Sequence, residues 1–227
     1  MIHGAETAGV ERGEPEGGSL HPDGRVGETP HAFLRRVTRP WHDRVEAAFE
    51  AFDLRTRDGL SGFLARQSAA LLPLERALER AGVAELLADW PARRRAPALA
   101  ADLAQLGAET PPWVEPPECP TPCHMLGVLY VIEGSKLGGR VLHRRVLASP
   151  DPQVRAATRF LGHHHERGWS SFLAVLDAAP PAAQAWADLR EGAWAAFAAF
   201  DAAARRDIVP RFADAPARSS LYDQAHA

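Results

Sequence analysis

The sequence predicts an all-α fold, a single-domain helical bundle. Apolar residues recur at three- and four-residue steps along several stretches, the period of a helix with one buried face. The alternating β-branched runs and two-residue hairpin turns of strands are missing. No internal repeat marks a solenoid. The 227 residues, 46% of them apolar, suffice for one domain with a substantial core.

Residues 1–28 are rich in Gly, Glu and Pro. They carry too few large apolar side chains to offset ordering entropy, which predicts a disordered N-terminal tail. The helical domain is expected over 29–205, with 206–227 as a C-terminal tail. Thr29-Pro30 reads as an N-cap and first helical position. Phe33, Val37, Trp41, Val45 and Phe49 then recur every four residues, and Pro40 kinks or restarts that helix. Asp58-Gly59 marks a turn before a helix from Leu60 to Arg80, with Phe63, Leu64, Leu71, Leu74 and Leu78 inward and a bend at Pro73. Leu99, Leu103 and Leu106 mark another helix. Thr110 to Pro122 is proline-dense and predicts a loop. Cys123 to Leu147 is the most apolar helix. Helices over Val154–Phe160, Trp169–Asp177 and Ala182–Ala204 complete the bundle.

Composition excludes several classes. The net charge of −3 shows no basic excess for nucleic acid. No apolar run reaches the roughly 18 residues that span a bilayer. The N-terminus lacks a basic stretch followed by an apolar one, so no secretory signal is expected. Two cysteines, Cys119 and Cys123, exclude a disulfide framework and point to a reducing cytoplasm. Lys136 is the only lysine.

Two helices carry residues with chemical potential. The most apolar one contains Gly127, Gly134, Gly138 and Gly139. Four glycines inside a helix cost on the order of 3–4 kcal/mol relative to alanine, so something should compensate. Gly127, Gly134 and Gly138 fall within roughly 40° of one another and form a bare stripe. Such a stripe admits a flat ligand, or it admits a neighbouring helix. On the earlier helix, Arg35 and Arg39 lie within about 60° of His42. Imidazole is an ordinary axial ligand of haem iron and arginine suits carboxylates; a solvated polar face is the other account.

Together these helices resemble the haem oxygenase family. Tyr130-Val-Ile-Glu-Gly-Ser-Lys-Leu-Gly-Gly-Arg-Val-Leu142 resembles the distal helix of its bacterial, biliverdin-producing branch, which includes enzymes that accompany bacteriophytochromes. Leu34-Arg-Arg-Val-Thr-Arg-Pro-Trp-His-Asp-Arg-Val-Glu46 resembles the proximal helix. Arg93 to Gly107 is similar to the central segment, and Gly168-Trp-Ser-Ser-Phe-Leu173 to a late helix. The resemblance covers about residues 30–200. It implies haem as both cofactor and substrate, with His42 as the axial ligand of the iron and Arg35 and Arg39 toward the propionates. Gly134, Gly138 and Gly139 would lie against the ring, and Gly134, Ser135 and Gly138 would form the catalytic side. Ser135 stands where the animal-type branch has an acid that orders the distal water, and Pro40 departs from the expected proximal pattern. Without a strong distal acid–base pair, oxidation is directed at the porphyrin. The products implied are biliverdin, carbon monoxide and ferrous iron. Dioxygen and a separate electron donor, a ferredoxin or reductase, are the implied partners, with a bacteriophytochrome as bilin acceptor.

Other signals are weaker. Cys119-Pro-Thr-Pro-Cys-His124 lacks the partner pair of a zinc site. His163-His164-His165 diverge in direction on a helix. Arg93-Arg94-Arg95 reads as a solvated turn, with contact to an acidic redox partner as the alternative. A di-iron site needs inward Glu-x-x-His pairs, and Glu28 with His31 is the only such spacing here, across Pro30. A protein of this fold that holds haem or bilin without turnover would share the same ligand residues.

Overall fold

The computed structural model describes residues 27–163, 167–180 and 182–206. The tails expected at 1–28 and 206–227 lie outside the described residues apart from Gly27, Glu28 and Arg206, and so do His164 and His165. In chain order come α1 (Pro30–Val37), α2 (Arg39–Glu50), α3 (Arg57–Arg80), a 3-10 turn (Val83–Glu85), α4 (Trp90–Arg93), α5 (Ala96–Gln105), α6 (Pro122–Leu147), α7 (Pro152–Ala156), α8 (Gly168–Asp177) and α9 (Ala183–Arg205). No strand occurs among the described residues.

The helix starts follow from local chemistry. Thr29, Thr56 and Thr121 accept backbone N–H groups of Ala32, Gly59 and His124 through their side chains, which satisfies donors that have no partner inside the helix. Proline occupies the first turn of α1, α2, α4, α5, α6 and α7, where its missing N–H costs nothing. Pro40 therefore restarts the helix rather than kinking it. Thr38 separates α1 from α2, and its hydroxyl donates to the Leu34 carbonyl at 2.7 Å. Pro73 lies inside α3, which runs unbroken for 24 residues.

Three expectations are corrected. Asp58-Gly59, expected as a turn before the helix, lies in the first turn of α3, which Thr56 caps. The helix expected over Val154–Phe160 stops at Ala156. The buried Asp102 carboxylate accepts the N–H groups of Arg159 at 3.1 Å and Phe160 at 2.8 Å, drawing that backbone away from a helical ladder. The Arg93–Arg95 segment is no solvated turn. Arg93 is 1% and Arg95 4% exposed, and only Arg94 faces outward.

The core is made by α3, α5, α6, α8 and α9, through side chains such as Leu64, Leu71, Leu103, Leu129, Ile132, Phe172, Leu189 and Ala196. α6 and α9 pack against one another most extensively, and glycine permits it. A Cβ on Gly127 would overlap the Leu189 carbonyl oxygen and sit 2.7 Å from the Ala193 nitrogen; one on Gly192 would overlap the His124 carbonyl oxygen. α2 is different. None of its residues is fully buried, although Trp41, Val45 and Phe49 pack against the core. It lies on the surface against α9, with its polar face open.

Candidate functional site

His42 projects from the open face of α2, its side chain 59% exposed. Its Nδ1 lies 3.6 Å from Glu46 Oε2 and 3.7 Å from Asp43 Oδ1. Phe197 of α9 stands nearly perpendicular to the imidazole, ring centres 6.5 Å apart. Both carboxylates lie on the Nδ1 side of the ring, and Nε2 faces away from them.

Arg35 and Arg39 are exposed and line an open cleft of about 520 Å³ with His31, Ala32 and Arg36. Their partners differ. Arg39 Nε donates to both Asp43 oxygens, at 2.9 and 3.1 Å. Arg36 is clamped by Glu28. Arg35 instead acts on Tyr130 of α6. Thr38, at the α1–α2 junction, acts on the same phenol, so the two helices with chemical potential approach one another there. Burial pushes the Tyr130 phenol up; Thr38 and Arg35 oppose it. The rings of His31 and Trp169 complete a cluster around Tyr130, at 6.2 and 5.8 Å.

The glycine stripe divides. Gly127 serves the α6–α9 crossing. A Cβ on Gly134 would meet only the Trp169 ring, at 3.7 Å, and one on Gly138 would meet nothing within 4 Å. Val141, one turn onward, is 53% exposed. The second half of α6 thus presents an open wall without side chains at Gly134 and Gly138 and with an apolar one at Val141. Gly139 is buried, and a Cβ there would face the Leu161 carbonyl oxygen at 3.5 Å. The structure does not bring it to the open wall.

Ser135 is engaged elsewhere. Its hydroxyl donates to the Ile132 carbonyl at 2.8 Å and accepts from Arg95 at 2.6 Å. Behind α6 the charges are dense. Arg93 donates to Asp89, Glu133, the Gly168 carbonyl and Ser171. Lys136 donates to Glu133 and to the Arg93 carbonyl. Glu75 accepts the backbone N–H groups of Arg95 and Ala96. Burial pulls Arg95 down to about 10, which still leaves it charged at neutral pH. Burial also lowers Lys136 and raises Glu75. His163 joins the rim through a hydrogen bond with the Ala92 carbonyl.

Cys119 and Cys123 are free thiols that burial pushes up. Among the described residues the metal-ligating side chains that come together are His42, Asp43 and Glu46. No Glu-rich inward cluster appears there.

Several site residues were not singled out from sequence. Glu46 follows His42 by one turn and Tyr130 precedes Gly134 by one turn, so helical spacing held both signals. The burial of Arg93 and Arg95 depends on α6 and α8, far away in sequence, and no local signal reports it.

Comparison with known proteins bears on this arrangement. No family model matches the chain. It is 42% identical over 113 residues to a haem oxygenase of Xanthomonas campestris pv. campestris, covering 49% of this chain and 67% of that protein. It is 31% identical over 150 residues to the haem oxygenase PigA of Pseudomonas aeruginosa, covering 63% and 75%. A solved NO- and CO-bound haem oxygenase from Neisseria meningitidis superposes with a TM-score of 0.64 at 23% identity, over 78% of this chain and 90% of that one. That superposition establishes the all-α fold.

Proposed function

The chain belongs to the haem oxygenase family, and from that premise we propose that it opens haem, using dioxygen and electrons, to biliverdin, carbon monoxide and ferrous iron. Haem is its substrate and its cofactor. When bound, the haem supplies the iron that activates dioxygen and the ring that is oxidised.

The residues present suit that group. His42 would hold the haem iron through Nε2, with the Glu46 carboxylate on the Nδ1 side of the imidazole. This exposed imidazole, braced by a carboxylate on a helix with no buried residue, is the observation that carries the reading. Gly134 and Gly138 form the opposite wall. Having no side chains, they would let the helix backbone approach the ring and would place no acid or base over it. Val141 keeps water from the ring face. Arg35, with Tyr130 beside it, is placed to hold a carboxylate. Arg39 reaches the same edge from its pair with Asp43. Ser135 and Gly139 act by holding the wall, the first through Arg95 and the second by fitting against Leu161.

Electrons come from a separate donor protein. No helix among the described residues is long and apolar enough to cross a membrane, and we place the reaction in the cytoplasm, with a bacteriophytochrome as bilin acceptor. The test is titration of the full chain with haemin, then a reductant under air. A histidine-ligated Soret band followed by biliverdin absorption is expected. A Soret band that survives reduction under air would instead identify a haem-binding protein without turnover.

A further inference from the structure

Few contacts hold the ring of His42, whose side chain is 59% exposed. The carboxylates on its Nδ1 side stand at 3.6 and 3.7 Å, beyond hydrogen-bond reach. They act on it through charge, and charge at that distance does not set the plane of a ring. Among the described residues one aromatic ring meets the imidazole, that of Phe197 on α9. The ring centres are 6.5 Å apart and the planes cross at 72°, an edge-to-face arrangement. Phe197 is 7% exposed, so the core fixes its ring while His42 stands open to solvent.

The seating of α2 on α9 supports that contact. Trp194, Phe197 and Asp201 follow one another at three- and four-residue steps and share an arc of about 60°. All three reach toward α1 and α2. Trp194 Nε1 donates to the Val37 carbonyl at 3.2 Å. Asp201 accepts from Arg44 Nε at 2.9 Å and from Arg44 Nη2 at 2.6 Å. In sequence, Val37 precedes His42 and Arg44 follows it. None of the α2 residues is fully buried, so polar fastenings on either side of Phe197 help to hold His42 against α9.

We propose that Phe197 is a positioning residue for His42, setting the plane of its imidazole and through it the electronic state of the bound iron. The inference rests on the reading of His42 as the axial ligand. The outer torsion of a histidine side chain is broad, so a single neighbouring ring suffices to choose its angle. The axial ligand is one of the levers a protein has on haem iron, and the plane of an imidazole decides which iron d orbital it overlaps.

The test uses the full chain loaded with haemin. Electron paramagnetic resonance of the azide adduct reads the imidazole plane through the g-values. Resonance Raman scattering of the ferrous form reads the iron–histidine stretch. Phe197→Leu removes the aromatic ring and keeps an apolar side chain. It should still bind one haemin per chain, with shifted or broadened g-values and a Kd raised about two- to tenfold. Phe197→Tyr keeps the ring and should return the wild-type spectra. Leu103→Ala loosens the core at α5, away from α2; it should lower the melting temperature and leave the g-values alone. Wild-type g-values and stretch in Phe197→Leu overturn the proposal. So does an equal shift in Leu103→Ala, or a shift in Phe197→Tyr as large as that in Phe197→Leu. Circular dichroism confirms folding, and Phe197→Met takes the same readings if the leucine variant does not fold. A wild type without a histidine-ligated spectrum would sink the reading of His42. A histidine-ligated wild type whose spectra no Phe197 variant alters would sink this inference alone.

Discussion

Two glycines on one stripe of α6 should respond oppositely to the same substitution. Gly138→Ala adds a Cβ into open space. Replacing glycine by alanine inside an exposed helix stabilises by about 1 kcal/mol, which raises the melting temperature by about 2–4 °C in a domain of this size. Gly127→Ala drives a Cβ onto the Leu189 carbonyl oxygen, with the Ala193 nitrogen at 2.7 Å. Both atoms belong to the backbone of α9 and cannot rotate away. Overpacking of that kind costs about 1–3 kcal/mol, more than the propensity gain returns. The assay is thermal unfolding of the haem-free chain by circular dichroism, beside haemin titration and chromatography of the pigment. Gly138→Leu extends the contrast: the chain should fold and bind haem through His42, yet form little biliverdin, because the side chain fills the space over the iron. If Gly138→Ala destabilised the haem-free chain, the wall would be a packing surface. If Gly138→Leu gave wild-type biliverdin, the wall would not face the reaction.

Other outcomes follow from the same geometry. His42→Ala should lose the histidine-ligated Soret spectrum and regain it with added imidazole; an unchanged spectrum with full turnover would remove His42 from the iron. Arg35→Glu/Arg39→Glu should weaken haem binding or change which biliverdin isomer forms, and unchanged affinity with an unchanged isomer would take both residues out of the site. Asp201 is the acid-sensitive clasp between α2 and α9. Burial works against its charge, but hydrogen bonds from Arg44 and Arg205 outweigh it and hold the carboxyl below its ordinary value. Its stabilising contribution is therefore complete above the ordinary aspartate pKa and lost as pH falls through the depressed one. Asp201→Asn should be less stable than the wild type near neutrality, and the gap should close as the medium is acidified; a gap independent of pH would contradict the assignment.

Helix existence was legible because each element carries its own period and punctuation. Thr29-Pro30 set a start that the structure reproduces, and the helix expected from Cys123 begins one residue earlier, at Pro122. The end of α7 was not legible, since it depends on Asp102, more than fifty residues earlier. His42 and the glycine helix stood out by residue type and spacing. The division of the glycine stripe did not, because a bare position reads alike whether a helix or a ligand fills it. Only the neighbour across the gap, Leu189 for Gly127 and open space for Gly138, tells them apart. The arginine run misled for a related reason. Three adjacent cations suggest solvent, and the buried partners of Arg93, Glu133 and the Gly168 carbonyl, come from helices that sequence proximity does not connect.

That buried charge has a bearing on how the glycine wall persists. Four glycines weaken α6 by on the order of 3–4 kcal/mol, and the bare half of the helix gains nothing from its open side. The compensation lies on the other faces. Gly127 and Gly192 bring α6 against α9 closely enough for backbone contact. Lys136 lies about 160° round the helix from Gly134, and it joins Glu133 and Arg93 in a network shared with α4 and α8. Buried ion pairs are seldom more stabilising than apolar packing of the same volume, but breaking one is costly because it strands a charge. Such a network tolerates one arrangement and penalises departures from it. An apolar back would let the weakened helix slide. The charged back fixes its register, so Gly134 and Gly138 stay on the open wall.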